Sequence, residues 1–437
     1  MMHKPVVHVP RSVHAAGMRR GRRRITRILR SNRWVLGLGI VLAVLLPEAL
    51  HGFVAGWGRW FAAGTGPVEF SLLAAVLALV AAHVSLRRLG VLPLVDARTT
   101  IVPTLIASYS VVIVVFYAAG IPLEPYHFWT SFVLALAWYF AVSTYLGRHA
   151  RPLVGLVGVP VEWAGELPAN VNWCAIEAPL LEAGVDAVVI DPHAGFDLEW
   201  SRFITSLVLD GVPVYHRAHL VEGLTGRTRF ENDAENNFGA LLPSLVYARL
   251  KRVFDLAALV PAALVAGPIL MAAAIAIKID SKGPVFFHQT RVGFRGRLFV
   301  CHKLRTMRSE LDGPSYTLEN DSRITRLGRF LRKWRIDELP QMFNILKGDM
   351  SWIGPRPEAR ELAEDYARTV PFYDYRHAVR PGISGWAAVH QGNVALVDAA
   401  TLKLEYDFYY IRYFSIWLDL LITIKTLQTI WTGFGSR

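Results

Sequence analysis

The sequence predicts a membrane protein of mixed α/β class, in which a block of transmembrane helices precedes smaller α/β regions. Three observations lead to this fold class. Hydrophobic residues make up 53% of the 437 residues, four long apolar stretches lie before residue 150, and the formal net charge is +12. The positive charge is mostly at the edges of those stretches. A composition of this kind is typical of a membrane protein rather than of a nucleic-acid-binding protein.

Four transmembrane helices are predicted within residues 34–150. Each apolar stretch is near the length that crosses about 30 Å of hydrocarbon as a helix, and the stretches cover about 34–50, 68–86, 100–120 and 127–147. Residues 1–33 form a basic cytoplasmic arm, and no small-residue cleavage site of a signal peptide follows it. The positive-inside rule places both ends of the block in the cytoplasm, because the loop arginines after the second and fourth stretches are Arg87, Arg88, Arg98, Arg148 and Arg151.

Residues 151–240 change to the pattern of a small parallel, Rossmann-like α/β domain that ends in a polar linker. Buried strands are predicted at Val154–Gly158, Ala187–Asp191 and Gly211–Tyr215, with a helix around 197–209. The glycines of the first turn do not complete the three-glycine fingerprint of a dinucleotide site. A structural or assembly role is therefore predicted, with cofactor binding as the alternative, and the domain offers a surface for a homodimer.

The segment 253–279 lies in the predicted C-terminal domain, residues 241–437, and poses a question of topology. As a helix it would reach about 40 Å, which is enough for a fifth membrane span. Gly267 and Pro268 introduce a bend, because Pro268 cannot donate a backbone hydrogen bond to Leu264 and Gly267 has no side chain to oppose the distortion. From these residues alone a kinked spanning helix is the more direct interpretation. A helix that enters the inner leaflet, bends and returns is the alternative.

An acidic pair, Asp337 and Glu338, lies further along this domain in a strongly cationic neighbourhood. It belongs to the run Arg335-Ile-Asp-Glu-Leu-Pro-Gln-Met-Phe-Asn344, and the run Gly354-Pro-Arg-Pro-Glu358 follows it. Two adjacent carboxylates among cations suit phosphate chemistry, since one can attack phosphorus while the other helps to hold a divalent metal ion. A solvated helix face of mixed charge is the alternative interpretation.

The C-terminal region closely resembles the bacterial sugar transferases, the monotopic phosphoglycosyl transferases that load a sugar 1-phosphate onto polyprenyl phosphate. The resemblance covers about residues 247–437, and its motifs lie, in order, at 289–299, 303–307, 321–358 and 380–389. The four hydrophobic segments and the α/β region resemble the long form of that family. Together with the charge topology, the resemblance implies that segment 253–279 is re-entrant. Asp337 then lies on the cytoplasmic face of the bacterial inner membrane, where nucleotide sugars are found.

The resemblance also implies the chemistry. It assigns Asp337 as the nucleophile and Glu338 as a ligand of Mg²⁺, in a two-step exchange between a UDP-sugar and polyprenyl phosphate in the bilayer. The activity implied is that of an undecaprenyl-phosphate glycosyl-1-phosphate transferase. One alternative is a catalytically silent membrane scaffold of a polysaccharide assembly complex. Another is a nucleotide-sugar oxidoreductase built on residues 151–240, although this region has no Tyr-x-x-x-Lys pair.

Three basic residues are candidate substrate-binding residues, and each has a structural alternative. Arg356 stands between two prolines on a stiff turn, where its guanidinium suits a bidentate phosphate contact. The family associates this run with the nucleotide, and a surface ion pair between Arg356 and Glu358 is the alternative. Lys303 and Arg305 follow an apolar strand, so they either reach a phosphate or form a solvated strand end.

Two further candidates, Arg291 and Asp407, match positions that the family shares, and a structural pairing with other charges is the alternative for each. One stretch departs from the family. Where its members commonly read Trp-Ala-Gln-Val-Asn-Gly-Arg-Asn, this chain reads Trp386-Ala-Ala-Val-His-Gln-Gly-Asn393, with Gly392 in place of the arginine. The choice of sugar therefore cannot be inferred from relatives that have this arginine.

Overall fold

The structure is a computed structural model that describes residues 29, 31–49, 66–89, 97–149, 153–160, 171–180, 185–191, 194–228, 243–308, 321–391 and 397–432. The chain forms two units, with the boundary between His216 and Arg217. Most of the predicted basic arm, the polar linker and Gly392 lie outside the described residues. The first unit contains N-terminal helices and a parallel sheet, and the second contains the predicted catalytic domain.

Four apolar helices open the first unit: α1 (Asn32–Ala49), α2 (Gly66–Leu89), α3 (Ala97–Ala118) and α4 (Pro125–His149). All four are long and apolar enough to cross a membrane, as is one later helix. Small buried residues such as Ala75 and Ala78 line the packed side of α2 and allow close helix approach. Val111 and Val114 on α3 are exposed, as expected for a surface that faces lipid. The chain is accordingly a membrane protein.

A four-stranded parallel sheet follows α4, in the order β2-β1-β3-β4. Its elements are β1 (Leu153–Val157), β2 (Asn172–Ala175), β3 (Ala187–Ile190), α5 (Leu198–Leu209) and β4 (Val214–His216). The first two predicted strands and the predicted helix are confirmed, and the third strand begins three residues later than predicted, at Val214. The sequence did not predict β2, because this edge strand has no fully buried residue and therefore no apolar run.

The turn after β1 is closed by the chain itself. Gly158 has a φ of +66°, and a Cβ atom at this position would lie 2.6 Å from Cβ of Ala194 and 3.4 Å from the ring of Phe196. The segment after β3 thus covers the carboxyl end of β1, where a dinucleotide fold binds its ligand. This packing favours the predicted structural role of the domain over cofactor binding.

Helix α6 (Arg217–Thr225) begins the second unit, although the sequence analysis placed it with the α/β domain. Glu222 on α6 accepts hydrogen bonds from Arg412 at 2.7 Å and from the Tyr413 hydroxyl at 3.1 Å. The carbonyl of Gly226 accepts one from the Trp386 indole at 2.7 Å. These contacts join residues that are far apart in the sequence, which explains why local patterns did not place α6.

Helix α7 (Leu245–Asp280) is continuous over 36 residues and contains Pro261 and Pro268. The side chain of Ser244 caps its first turn by accepting from the Tyr247 N–H group. On the long middle part of the helix, large apolar side chains are exposed, among them Leu264 and Val265. Such exposure is typical of a surface that faces hydrocarbon.

Both ends of α7 are held by the second unit. Near its start, Lys251 forms a buried ion pair with Asp419. Beyond its last turn, Arg305 donates to the backbone carbonyls of Ser281 and Lys282. The two flanks of the helix are therefore anchored to one domain.

Two small sheets and several short elements complete the second unit. An antiparallel hairpin is formed by β5 (Phe286–Val292) and β6 (Leu298–Leu304), and β7 (Ser351–Ile353) pairs in parallel with β8 (Gly382–Ser384). The helices are α8 (Arg326–Lys333), α9 (Met342–Lys347), α10 (Arg360–Thr369), α11 (Trp386–Gln391), α12 (Val397–Arg412) and α13 (Ile416–Thr432). Short 3₁₀ turns lie at Phe294–Gly296, Ile336–Gln341 and Tyr373–Ala378.

Candidate active site

The acidic pair lies in the 3₁₀ turn Ile336–Gln341, directly after α8. The link between the two elements is Arg335, which has left-handed backbone angles, φ +54° and ψ +24°. A residue with a side chain seldom adopts this conformation. It reverses the chain at the end of α8 and turns Asp337 and Glu338 inward, where they are 8% and 5% exposed. The alternative of a solvated helix face is therefore wrong.

Asn344, at the centre of α9, connects this turn to strand β6. Its side chain is fully buried. The amide nitrogen donates to the carbonyl of Val300 at 2.7 Å, and the amide oxygen accepts from the backbone N–H of His302 at 3.1 Å. These two bonds hold the turn against β6, so that Lys303, the next residue of the strand, reaches the acidic pair.

Glu338 is surrounded by three cations. Its Oε1 atom lies 2.5 Å from Nη2 of Arg356 and 3.2 Å from Nζ of Lys303, and its Oε2 atom lies 3.8 Å from Nη1 of Arg335. Burial by itself would raise the pKa of Glu338, but Arg356 and Lys303 hold this pKa well below its usual range. Glu338 is consequently a charged group at neutral pH.

Asp337 has a different environment. Burial, followed by the charge of Glu338, raises its pKa to about 6, and the cations Lys303, Arg332 and Arg356 oppose this rise. Within the described part of the chain, no side chain donates a hydrogen bond to the Asp337 carboxylate. A carboxylate with uncommitted oxygens is suited to act as a nucleophile.

Arg356 is positioned by the backbone around β7 and β8. The N–H of Gly354 donates to Ser384 at 2.9 Å, and the N–H of Gly382 donates to the carbonyl of Pro355 at 3.0 Å. A Cβ atom on Gly354 would overlap the carbonyl oxygen of Arg380, so only glycine permits this close approach. The prolines and this packing aim Arg356 at Glu338 rather than at Glu358.

Asp407 does not contact the acidic pair but acts on Arg356 through Arg376. The Oδ2 atom of Asp407 lies 2.8 Å from Nη2 of Arg376, and this same nitrogen donates to the carbonyl oxygen of Arg356 at 2.9 Å. Arg376 and Asp407 are 3% and 1% exposed. Of the two predicted roles of Asp407, the structure therefore contains the structural ion pair, and its partner is Arg376.

Glu358 and Lys403 extend this network. Lys403 forms an ion pair with Glu358, whose Oε1 atom also lies 3.6 Å from Nη1 of Arg376. Burial would raise the pKa of Glu358, but Lys403 and Arg376 lower it to about 2. Lys403 was not predicted from the sequence, although its four-residue spacing from Asp407 on one helix was a usable signal. Arg376 was not predicted either, because no sequence pattern marks it.

The remaining candidates are Arg291 and Arg305. Arg291 donates to the carbonyl of Pro357 at 2.5 Å and to Oε1 of Gln289 at 2.9 Å, so it borders the backbone that carries Arg356. Arg305 does not contact the acidic pair. Its guanidinium donates to the carbonyl of Ser281 at 2.8 Å, at the end of α7. A phosphate contact of Arg305 remains a prediction that these contacts do not support.

Glu338 has a carboxylate oxygen that could hold a magnesium ion. Among the described residues, no group of three or more metal-ligating side chains forms a preformed cage. Mg²⁺ is usually bound by one or two carboxylates together with substrate phosphates and water. Glu338 supplies one carboxylate, and its Oε2 atom has only longer contacts, 3.4 Å to Arg356 and 3.8 Å to Arg335. That oxygen has capacity for one more partner.

Comparison with known proteins extends over most of the chain. Residues 246–433 match the family model described as bacterial sugar transferase. The chain is 41% identical to the UDP-N-acetylgalactosamine-undecaprenyl-phosphate N-acetylgalactosaminephosphotransferase of Aeromonas hydrophila over 96% of this chain and 99% of that protein. It is 44% identical to the undecaprenyl-phosphate glucose phosphotransferase of Komagataeibacter xylinus, over 41% of this chain and 35% of that protein. It is 40% identical to the UDP-glucose:undecaprenyl-phosphate glucose-1-phosphate transferase of Caulobacter vibrioides, over 44% of this chain and 74% of that protein.

Proposed function

The chain belongs to the bacterial sugar transferase family, and on this premise we propose that it transfers a sugar 1-phosphate from a UDP-sugar to polyprenyl phosphate. The products are UMP and a polyprenyl diphosphate-sugar, which begins the synthesis of an exopolysaccharide or related glycan. The observation that carries the proposal is the buried Asp337 carboxylate, with a pKa raised to about 6 by burial and by Glu338. It lies among cations that suit a diphosphate.

The charge around the pair supports a diphosphate substrate. Four cations, Lys303, Arg332, Arg335 and Arg356, act on the ionisation of the two carboxylates. With both carboxylates ionised, this group still has an excess of two positive charges. Charge-assisted hydrogen bonds from arginine and lysine are the strongest contacts that proteins make to phosphate oxygens. They also stabilise negative charge that develops during displacement at phosphorus.

The proposed reaction has two displacements at one phosphorus atom. In the first, a carboxylate oxygen of Asp337 attacks the β-phosphorus of the UDP-sugar, the bond from this phosphorus to the bridging oxygen breaks, and UMP leaves with the electron pair. The product is an acyl-phosphate that joins Asp337 to the phosphosugar. In the second, a phosphate oxygen of polyprenyl phosphate attacks the same phosphorus, and the Asp337 carboxylate leaves. The enzyme uses one phosphate site twice.

Glu338 would hold a Mg²⁺ ion, which neutralises diphosphate oxygens when it is bound, and Asp337 stays free to attack phosphorus. The cations of this chain contribute independently of the ion. Arg356 has its planar guanidinium already oriented, at 2.5 Å from Glu338, so a substrate phosphate can exchange places with the Glu338 carboxylate. Burial lowers the pKa of Lys303, but Glu338 beside it favours the charged form.

We also propose that α7 is re-entrant and that the active site lies on the cytoplasmic face of the inner membrane. Leu259 packs in the cluster that contains Cys301, and Ile277 packs in the cluster that contains Leu304. A straight helix would separate Leu259 from Ile277 by about 27 Å. Packing of Leu259 and Ile277 on the same domain supports a bend between these two residues, at Gly267 and Pro268. The four helices α1 to α4 would then be the membrane spans.

A UMP-release assay on purified protein in detergent tests the function. We expect release from one or more UDP-sugars upon addition of polyprenyl phosphate, and the full-length relative makes UDP-N-acetylgalactosamine the first donor to compare with UDP-glucose. Initial rates should give parallel lines in double-reciprocal plots, as expected for ping-pong exchange. Intersecting lines would favour direct transfer in a ternary complex. Absence of release from every UDP-sugar would favour the silent scaffold.

The covalent step has its own test. Wild-type protein incubated with UDP-sugar in the absence of acceptor should yield a phosphosugar adduct on a peptide that contains Asp337, detected by mass spectrometry. Asp337→Asn should form no adduct and should not turn over, because an amide cannot form the acyl-phosphate. Full activity of Asp337→Asn would exclude the covalent mechanism while leaving a transferase function intact.

A further inference from the structure

Two histidines face each other on the hairpin β5–β6. His288 and His302 are direct partners across the antiparallel pair. Their Nδ1 atoms are 2.9 Å apart, and their rings are perpendicular with centroids separated by 5.0 Å. Because neighbouring side chains of a strand point to opposite faces, Lys303 lies on the other face of this hairpin. The histidine pair is therefore separate from the proposed active site.

We propose that His288 and His302 form a chelating site for a late first-row divalent metal ion, the class that includes Ni²⁺, Cu²⁺ and Zn²⁺. Imidazole nitrogens prefer these ions, whereas Mg²⁺ prefers oxygen. Two nitrogens at about 2.0–2.1 Å from one metal ion lie about 2.9 Å apart when they subtend a right angle. The observed separation of the Nδ1 atoms matches this distance. Without metal, one shared proton occupies the gap, since one imidazole donates and the other accepts.

The pair is accessible to a metal ion. His288 is exposed and His302 is partly exposed, so an ion with its water can reach the nitrogens.

The two ligands are also preorganised. The backbone of His302 is fixed by its hydrogen bond to Asn344 at 3.1 Å, and the strand register sets His288 opposite it. Ligands held on a rigid element lose less conformational entropy on binding. Among the described residues no third acidic, histidine or cysteine side chain completes the site, so water fills the remaining positions and the ion exchanges readily. Structural zinc sites, in contrast, have four protein ligands.

A bound ion would cross-link β5 to β6. A two-stranded ribbon is only marginally stable without further packing, and Lys303 lies on β6 next to His302. The chelate would therefore stabilise the strand that carries an active-site cation, without contacting the site itself.

Isothermal titration of NiCl₂ into the tag-free, detergent-solubilised protein tests the proposal. We expect one saturable site that millimolar MgCl₂ does not displace. His288→Gln and His302→Gln should each lower the Ni²⁺ affinity by about tenfold or more, since even outer-shell changes have effects of that size. The double variant should bind Ni²⁺ more weakly than either single variant, because each single variant keeps one imidazole ligand and the double variant keeps none. His377→Gln, which removes an imidazole paired with Asp374, should bind Ni²⁺ like wild type.

A second measurement does not depend on the variants. NiCl₂ should raise the melting temperature of wild-type protein. His288→Gln, which alters an exposed side chain, should melt like wild type without Ni²⁺ and show a clearly smaller rise than wild type at the same Ni²⁺ concentration. Unchanged Ni²⁺ affinity in both single variants, or equal displacement by MgCl₂, would overturn the proposal.

Discussion

Arg356 holds the carboxylate of Glu338 at 2.5 Å, through Nη2 and Oε1, inside the second unit. The Glu338 side chain is buried and that of Arg356 is 15% exposed. Among the neighbouring cations, Arg356 lowers the pKa of Glu338 most. A buried ion pair of this kind contributes little net stability but fixes geometry, and removal of one partner leaves an uncompensated charge. We infer that Glu338 keeps Arg356 oriented until a substrate phosphate takes its place.

Arg356→Lys should lower kcat/KM for the UDP-sugar by about 10²-fold, the size of effect seen when one donor to developing negative charge is removed. Lysine preserves the charge but lacks the planar fork that bonds two oxygens. The measurement is the initial rate of UMP release. Arg360→Lys is the matched control, because Arg360 forms an exposed pair with Glu364 that is expected to contribute little. Equal losses in both variants would contradict the assigned role of Arg356.

The rate of the first half-reaction should depend on pH through Asp337. Burial and Glu338 raise the pKa of this acid to about 6, and only the ionised carboxylate attacks phosphorus. Activity is therefore present above this pKa and is lost as the pH falls through it, so kcat/KM for the UDP-sugar should be about tenfold lower at pH 5 than at pH 7. Adduct formation without acceptor is the suitable measurement, because polyprenyl phosphate itself titrates in this range. A flat profile, with the melting temperature unchanged between the two pH values, would exclude this assignment.

Arg335 should show opposite effects on stability and activity. Its left-handed conformation, with φ +54°, costs about 1 kcal/mol or more for a residue with a side chain. Arg335→Gly should therefore raise the melting temperature while it lowers UMP release, since Glu338 loses a cation at 3.8 Å. Arg335→Ala should lose the same activity without the gain in stability. Arg295→Gly relieves a similar conformation in an exposed turn and should raise the melting temperature with activity intact.

Local patterns were sufficient for some elements and insufficient for others. The buried strands β1 and β3 carry apolar runs that no other structure explains as well, whereas β2 lies at an edge without such a run. Helix α6 packs against the C-terminal domain through Glu222 and Arg412, a contact across a sequence separation that no periodicity encodes.

The site residues also differ in whether a local sequence pattern identifies them. Asp337, Glu338 and Arg356 stand in dense motifs, so all three were predicted as site residues, although the contact between Arg356 and Glu338 was not. The sequence does not distinguish the role of Arg305 from that of Arg376. Arg305 bonds to backbone carbonyls at the end of α7, whereas Arg376 bonds to the carbonyl of Arg356. Their roles depend on which unpaired carbonyls lie within reach, and folding alone brings these carbonyls together.

Arg376 should behave as a positioning residue for Arg356. Arg376→Lys keeps a charge near Asp407, but a single ammonium group cannot reproduce the bonds to both Asp407 and the Arg356 carbonyl. We expect a rise in KM for the UDP-sugar of about tenfold or more, with the pH at which Asp337 titrates unchanged. Tyr373→Phe is the matched control, since it removes one hydrogen bond to Arg376 at 2.9 Å and leaves the other two.

Misfolding of the Arg376 variant is the competing explanation, because loss of a buried ion-pair partner typically destabilises by about 3–5 kcal/mol. Asp407→Asn provides a second variant of the same shape that weakens the pair without removing either side chain. It should also raise KM while the melting temperature falls less. A normal KM in both variants, with folded protein, would contradict the positioning role.

The last prediction concerns the membrane topology of α7, and it follows from the packing and the composition of this helix. In a chain from which Cys174 and Cys301 have been removed, single cysteines at Ser244 and Ser281 should both be labelled only from the cytoplasmic side. These positions flank the helix, and both flanks are anchored to the second unit, through Lys251 and Arg305. A domain of folded protein cannot contact both ends of a helix that crosses the bilayer between them.

Replacement of Gly267 and Pro268 by alanine should straighten α7, because it restores a backbone hydrogen-bond donor and removes the clash of the proline ring with the preceding turn. A fraction of the chains should then insert fully, and position 281 in that fraction should be labelled from the periplasmic side. Activity should fall by the same fraction, although no active-site residue has changed. Replacement of Gly37, on the predicted first span, by alanine is the control, since no neighbour would contact the added Cβ atom, and labelling should stay cytoplasmic. Periplasmic labelling of position 281 in the unaltered helix would exclude re-entry, and with it a cytoplasmic location for Asp337.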